Sequence, residues 1–139
     1  MGPRLLLLTI LSLSAQATPS CYGPKRTHGK AYEISMIDCA DVLEHILAGS
    51  SSTQPVVWSS MMRNIPSTWA ADSCAVNIFL ANGASQTIAS AYSVAESAME
   101  IMRACLAIAS SASLGGQAYL ANNSDMAVTL TGNVKLPPR

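Results

Sequence analysis

The chain has 139 residues, half of them hydrophobic, only 12% charged, with 8 basic and 8 acidic side chains that cancel. An ordinary domain carries about 25% charged residues, so Ser, Thr, Asn, Gln and Gly must clothe most of this surface. Zero net charge excludes a nucleic-acid binder that depends on a basic face, and equally a disordered acidic tail.

Met1 to Arg4 supplies one positive charge, and Leu5 to Leu13 follows as a short apolar run. Ser14-Ala15-Gln16-Ala17 then offers small residues at the spacing a signal peptidase accepts. The segment reads as a secretory signal over 1–17, cut after Ala17. A membrane span would need about 20 apolar residues. The expected mature chain has 139 − 17 = 122 residues and a formal charge of 7 − 8 = −1. No second stretch is apolar enough to span a membrane, because Glu96, Glu100 and Arg103 interrupt the run from Ala91 to Ala109.

Residues 18–31 read as an irregular basic arm with Pro19, Gly23, Pro24 and Gly29 among Lys25, Arg26, His28 and Lys30. Lys25-Arg26 is either a dibasic processing site or a pair of solvated charges. The body is expected over 32–132. Tyr32 to Met36 alternates apolar and polar, which predicts a strand. Asp38 then precedes Val42, Leu43, Ile46 and Leu47 on one helical face, which predicts a helix of about three turns capped by Asp38 and stopped at Gly49. Residues 54–72 contain Pro55 and Pro66, which predict an irregular connection. Trp58 and Trp69 within it form a core edge in one reading. In the other they join Lys25, Arg26 and Lys30 in a binding surface.

Cys74 to Ala81 is a strongly β-prone run ended by the Asn82-Gly83 turn. From Ser90 to Ala109, Val94, Ala95, Ala98, Ile101, Met102 and Cys105 recur at helical spacing. Glu96, Glu100 and Arg103 lie on the other face, and Ser110-Ser111 with Gly115-Gly116 ends the helix. Residues 117–120 and 126–131 predict a hairpin turning at Asn122 to Asp125. Residues 133–139 read as a frayed tail. One-sided helices and strands must bury their faces on each other. The expected fold is α+β: a two-layer sandwich with two helices on one face of a roughly four-stranded, mainly antiparallel sheet.

In an oxidising compartment, Cys21, Cys39, Cys74 and Cys105 form two disulfides, and three pairings are open. A helix packing back over the preceding strand would bring Cys105 to Cys74, leaving Cys21 for Cys39. The competing pairing is Cys39–Cys74 with Cys21–Cys105. No C-x-x-C or clustered His/Cys spacing suggests a metal, and no cofactor motif is present. His28 sits in the arm and His45 on a helix beside Asp41 and Glu44, without a G-x-S-x-G elbow, so no catalytic set is expected. Glu96 and Glu100 are neighbours in solvent rather than a pair across a cleft. Asn122-Asn123-Ser124 is an N-glycosylation acceptor on a turn, with Asn122 as the modified residue.

Several features recur in order: Asp38-Cys39 opening a helix with Ile46, Ile65-Pro66-Ser67-Thr68-Trp69, and Asp72-Ser73-Cys74-Ala75-Val76. A helix ending Glu100-Ile101-Met102-Arg103-Ala104-Cys105 follows, then Leu114-Gly115-Gly116 and a last strand from Val128 to Gly132. In this the chain resembles a broad group of fungal small secreted proteins, some of them similar to killer-toxin-like effectors with an α/β sandwich. The resemblance implies secretion, a disulfide-stapled sandwich and action on a host or competitor, and it carries over no catalytic residue. The expected function is a non-enzymatic, effector- or toxin-like virulence protein that binds an extracellular or host protein or cell-surface component. The alternative is a cell-wall carbohydrate-binding or hydrolytic protein in which Trp58 and Trp69 stack on sugar rings.

Overall fold

The structure, a computed structural model, describes residues 18–22, 34–49, 52–106 and 114–132. The expected signal, Lys25, Arg26, His28, Lys30 and the tail from 133 lie outside the described residues. Strand β1 (Ser20–Cys21) comes first, then helix α1 (Met36–Leu47), β2 (Pro55–Ser59), β3 (Ser67–Ala71), β4 (Cys74–Leu80) and β5 (Gln86–Ser90). Helix α2 (Ala91–Ile101) runs into a π-helical turn (Met102–Leu106), and β6 (Gly116–Leu120) and β7 (Asn123–Gly132) close the order.

The fold is α+β. Five antiparallel strands form one sheet in the order β1-β6-β7-β4-β3, and β2 and β5 form a separate two-stranded ribbon. Helix α1 packs on β3 and β4, α2 packs on β6 and β7, and the helices touch each other. Val42 of α1, Val94 and Ile101 of α2, Val76 and Ile78 of β4, and Met126, Val128 and Leu130 of β7 are fully buried between the layers. Alternation along β4 and β7 turns every second side chain to the helices. On the opposite face a row of uncharged polar groups crosses the sheet. Thr68 donates to Asn77 Oδ1 at 2.8 Å, and Asn77 Nδ2 donates to Thr129 at 3.3 Å and Thr131 at 3.1 Å. These groups satisfy one another, so the row binds the central strands together.

Several expectations need correction. The stretch from Tyr32 to Met36 holds no described strand: Ile34 and Ser35 are irregular, and Met36 already belongs to α1. Ser35 is the N-cap residue, with φ −81° and ψ 132°. Asp38 lies within the first turn of the helix and reaches a different element: its Oδ2 accepts from Ser73 N–H at 3.0 Å and from the Ser73 hydroxyl at 2.5 Å. Ser73 Oγ in turn accepts from Ser35 N–H at 2.9 Å. The open end of α1 is thus capped from the turn before β4 rather than from its own sequence.

Residues 54–72 are not an irregular connection, because β2 and β3 both form there. Pro55 opens β2, where its missing N–H costs no ladder bond, and Pro66 precedes β3. The hairpin turns at Ala121-Asn122, earlier than expected, and β7 begins at Asn123. The pairing shifts between Tyr119 and Leu120, so the extra residues of β7 bulge out near Ser124 and Asp125. There Asn82 Nδ2 donates to the Ser124 carbonyl at 2.7 Å, and Ala81 N–H donates to the Asp125 carbonyl at 2.8 Å.

The expected cysteine pairing is overturned. Cys39 bonds Cys74, and Cys21 bonds Cys105. The error lay in the path of α2. It packs on β6 and β7, away from the start of β4, and α1 covers that position instead. The π-helical turn presents Cys105 toward β6, where β1 pairs as the edge strand through Ser20 and Cys21. Gly116 makes that approach feasible. A Cβ there would stand 2.7 Å from the Ser20 carbonyl oxygen and 2.8 Å from Cys105 Sγ. Gly115 has φ +85°, and a Cβ on it would stand 1.8 Å from the Leu130 carbonyl oxygen.

Non-reducing peptide mapping of oxidised protein should yield one fragment joining Cys39 to Cys74 and another joining Cys21 to Cys105. Replacing either pair by alanine should lower unfolding free energy by about 4 kcal/mol, since the loops closed are 35 and 84 residues long. Equilibrium urea unfolding of the two double variants measures this.

Candidate functional site

The β2–β5 ribbon is the element least accounted for by the sandwich. Its register pairs Val56 with Ala89, Val57 with Ile88, and Trp58 with Thr87. Directly opposed residues share a face. Trp58, Thr87 and Ala89 are buried and define the inner face. Val57 and Ile88 define the outer face, and Ile88 is 62% exposed. The turn leaving β2 adds Met61 and Met62, exposed by 89% and 64%. The ribbon strands and the two methionines carry no charged side chain.

Both edges of the ribbon are capped by asparagines. On the β2 edge, Asn64 Nδ2 donates to the Val57 carbonyl at 2.8 Å, and Asn64 Oδ1 accepts from Ser59 N–H at 2.9 Å. On the β5 edge, Asn123 Nδ2 donates to the Ile88 carbonyl at 3.0 Å and to Thr87 Oγ1 at 2.8 Å. Unpaired strand edges invite pairing with another chain, and side-chain caps oppose it. On β2 two edge groups are covered in this way and on β5 one, which opposes strand addition there and leaves the outer side-chain face open.

Trp58 fastens the ribbon to the body. It is only 8% exposed, and its Nε1–H donates to the Ala89 carbonyl at 3.1 Å, a bond that ties β2 to β5 within the ribbon while the ring itself packs on the body. Trp69 of β3 is half-buried and meets Trp58 edge-on, with centroids 6.3 Å apart and planes at 79°. This is a favourable aromatic pairing. The two rings lie against the core, so the core-edge reading holds for Trp58, and its ring face is closed to a sugar. A platform shared with Lys25, Arg26 and Lys30 falls outside the described residues on its basic side.

A polar cavity of about 140 Å³ lies between α2 and the β6–β7 turn, lined by Ser93, Glu96, Ser97, Glu100, Tyr119 and Asn122 among others. Glu100 is committed to Arg103 at 2.8 Å, as the spacing of three predicts. Glu96 and Glu100 stand on one helix. Glycoside hydrolysis needs carboxyls on opposite sides of the bond to be broken. His45 is exposed near the end of α1, distant in sequence from either glutamate. Among the described residues no group of three or more His, Cys, Asp or Glu could hold a metal ion, and no helix is long and apolar enough to cross a membrane.

Compared with known protein families, curated proteins and solved structures, the chain finds no match.

Trp58→Ala should cost about 3–5 kcal/mol of stability, as for other buried aromatic truncations. Trp58→Phe keeps most of the ring volume and loses the bond to Ala89, so it should cost less, with about 1 kcal/mol of that from the bond itself. Trp69→Ala should cost less than Trp58→Ala because Trp69 is less completely buried. Urea unfolding followed by far-UV circular dichroism ranks the three.

Proposed function

We propose that the protein is secreted and acts without catalysis, as an effector- or toxin-like molecule that binds an extracellular or host protein through the outer face of the β2–β5 ribbon. The observation that carries this is a set of exposed apolar side chains, Val57 and Ile88 paired on the outer face of the ribbon and Met61 and Met62 on the turn that leaves it, with asparagines bonded to both ribbon edges. Clustered exposed apolar side chains mark interaction surfaces more often than scattered ones do. Methionine adapts its shape to a partner at little cost.

Charge favours a protein partner over a lipid or nucleic-acid one. The expected mature chain carries seven Lys/Arg against eight Asp/Glu, a balance of 7 − 8 = −1 with no excess of cations. An anionic headgroup or phosphate would call for the opposite sign. The two disulfides suit an oxidising compartment, which supports secretion. The resemblance to fungal small secreted proteins supports the effector- or toxin-like reading.

The test compares binding of labelled protein to intact target cells. Val57→Asp and Ile88→Asp should each weaken cell binding at least tenfold while leaving the circular dichroism and thermal midpoint near those of the parent. Ile37→Asp alters an equally conspicuous residue, 74% exposed on α1, and should leave binding unchanged. Equal binding by all three variants would overturn the ribbon as the contact surface.

A further inference from the structure

The one N-x-Ser/Thr acceptor motif of the chain, Asn122-Asn123-Ser124, falls at the tip of the β6–β7 hairpin, and the structure gives its two asparagines opposite duties. Asn123 is fully engaged. Its Nδ2 serves Thr87 and Ile88, and its Oδ1 accepts from Asp125 N–H at 3.1 Å. Asn122 is exposed, and its side-chain amide makes no hydrogen bond among the described residues. Its φ of +62° places it in the left-handed region, where asparagine is at ease and where the turn points it outward. Ser124 is exposed too; its carbonyl accepts from Asn82, and its hydroxyl makes no hydrogen bond among the described residues.

From this we propose that Asn122 carries an N-linked oligosaccharide. The inference goes beyond the binding role of the ribbon and rests on the secretory part of that reading, because the transferring enzyme acts in the secretory pathway. The donor is an oligosaccharide activated as a lipid diphosphate. Asn122 Nδ2 bonds to the anomeric carbon as the anomeric C–O bond breaks. The lipid diphosphate departs with the bonding electron pair, and one amide proton passes to a base of the transferase. No oxidant or reductant is required.

The folded protein has room for the product. The polar cavity of about 140 Å³ opens at Asn122, and Ser93, Ser97 and Glu96 contribute to its lining. A sugar attached at this turn meets hydroxyl and carboxylate groups, the partners that sugar hydroxyls take. Because Asn123 is bonded to β5, the glycan also stands one residue from the ribbon edge. A glycan on Asn123 instead would sever those bonds.

The experiment expresses the full chain in a eukaryotic secretory host, once with its own residues 1–17 and once with an established secretion leader ahead of Thr18. Secreted protein is weighed before and after peptide-N-glycosidase treatment. We expect loss of mass equal to one oligosaccharide and an aspartate at position 122 in the released peptide. Asn122→Gln and Ser124→Ala should abolish the loss. Asn123→Gln and Ser124→Thr preserve the acceptor motif and should retain it. Secreted protein whose mass is unmoved by the enzyme, or a loss of mass that persists in Asn122→Gln, would overturn the assignment. Failure to export from residues 1–17, with a glycosidase-sensitive product from the other leader, would overturn the secretory reading and uphold Asn122.

Discussion

The structure depends on a double clamp between the start of α1 and the start of β4. Two consecutive residues on the helix, Asp38 and Cys39, meet two consecutive residues ahead of and within the strand, Ser73 and Cys74. One pair is a charge-assisted hydrogen bond and the other a covalent bond. The hydrogen bond also closes the helix end, since Ser73 Oγ accepts the Ser35 N–H. The clamp thus sets three things together: where α1 begins, how it lies on β4, and which of its faces turns to the sheet. Val42 and Ile46 then enter the core at helical spacing from Cys39. The second crosslink performs the matching task for α2, joining its π-helical turn to the edge strand beside Gly116.

This explains how a chain so short of charge keeps a defined surface. With covalent ties at both helices, the fold depends less on surface ion pairs, and Arg103–Glu100 is the one formed among the described residues. Exposed pairs of that kind contribute little in any case. Amide and hydroxyl groups supply the remaining order: the Thr68–Asn77–Thr129 row across the sheet, Asn82 on the β7 bulge, and Asn64 and Asn123 on the two ribbon edges. Each is a neutral side chain satisfying backbone or side-chain groups that would otherwise face solvent or core unpaired.

Sequence pattern revealed the elements whose burial is periodic and one-sided. Helix α2 was legible from Val94 to Cys105, and β4 from its run of β-branched and aromatic residues, because both bury one face along their whole length. The β6–β7 hairpin was legible, though its turn was displaced by the bulge after Asn123. The ribbon was not legible. Pro55 and Pro66 argue against strands, and they do so correctly for central ones. Here Pro55 opens an edge strand, and Pro66 lies just before another. β5 carries only five residues, and its outward Ile88 is apolar, so the alternation that marks a half-buried strand is absent. The disulfides were misassigned because sequence shows that α2 follows the β4–β5 region but not that it crosses to β6 and β7. The doublets Asp38-Cys39 and Ser73-Cys74 held the missing signal: adjacent positions that could both be satisfied at once by a single approach of helix to strand.

The same failure of pattern gives the ribbon its functional interest. A segment read as strand from burial alone has its apolar residues committed to the core. β2 and β5 use Trp58, Thr87 and Ala89 for that purpose and still present Val57 and Ile88 to solvent. The inner face meets the sandwich through the Trp58 ring, which packs edge-on against Trp69 of β3, while the Trp58 bond to Ala89 ties β2 to β5 within the ribbon. The asparagine caps oppose the main hazard of an exposed two-stranded sheet, which is edge pairing, while leaving its apolar face uncovered. An uncapped ribbon with this face would favour self-association. A capped ribbon with a polar face would have no use for Met61 and Met62 beside it. Asparagine bonds at both edges and an open apolar outer face are the two features on which the proposed contact with a partner rests.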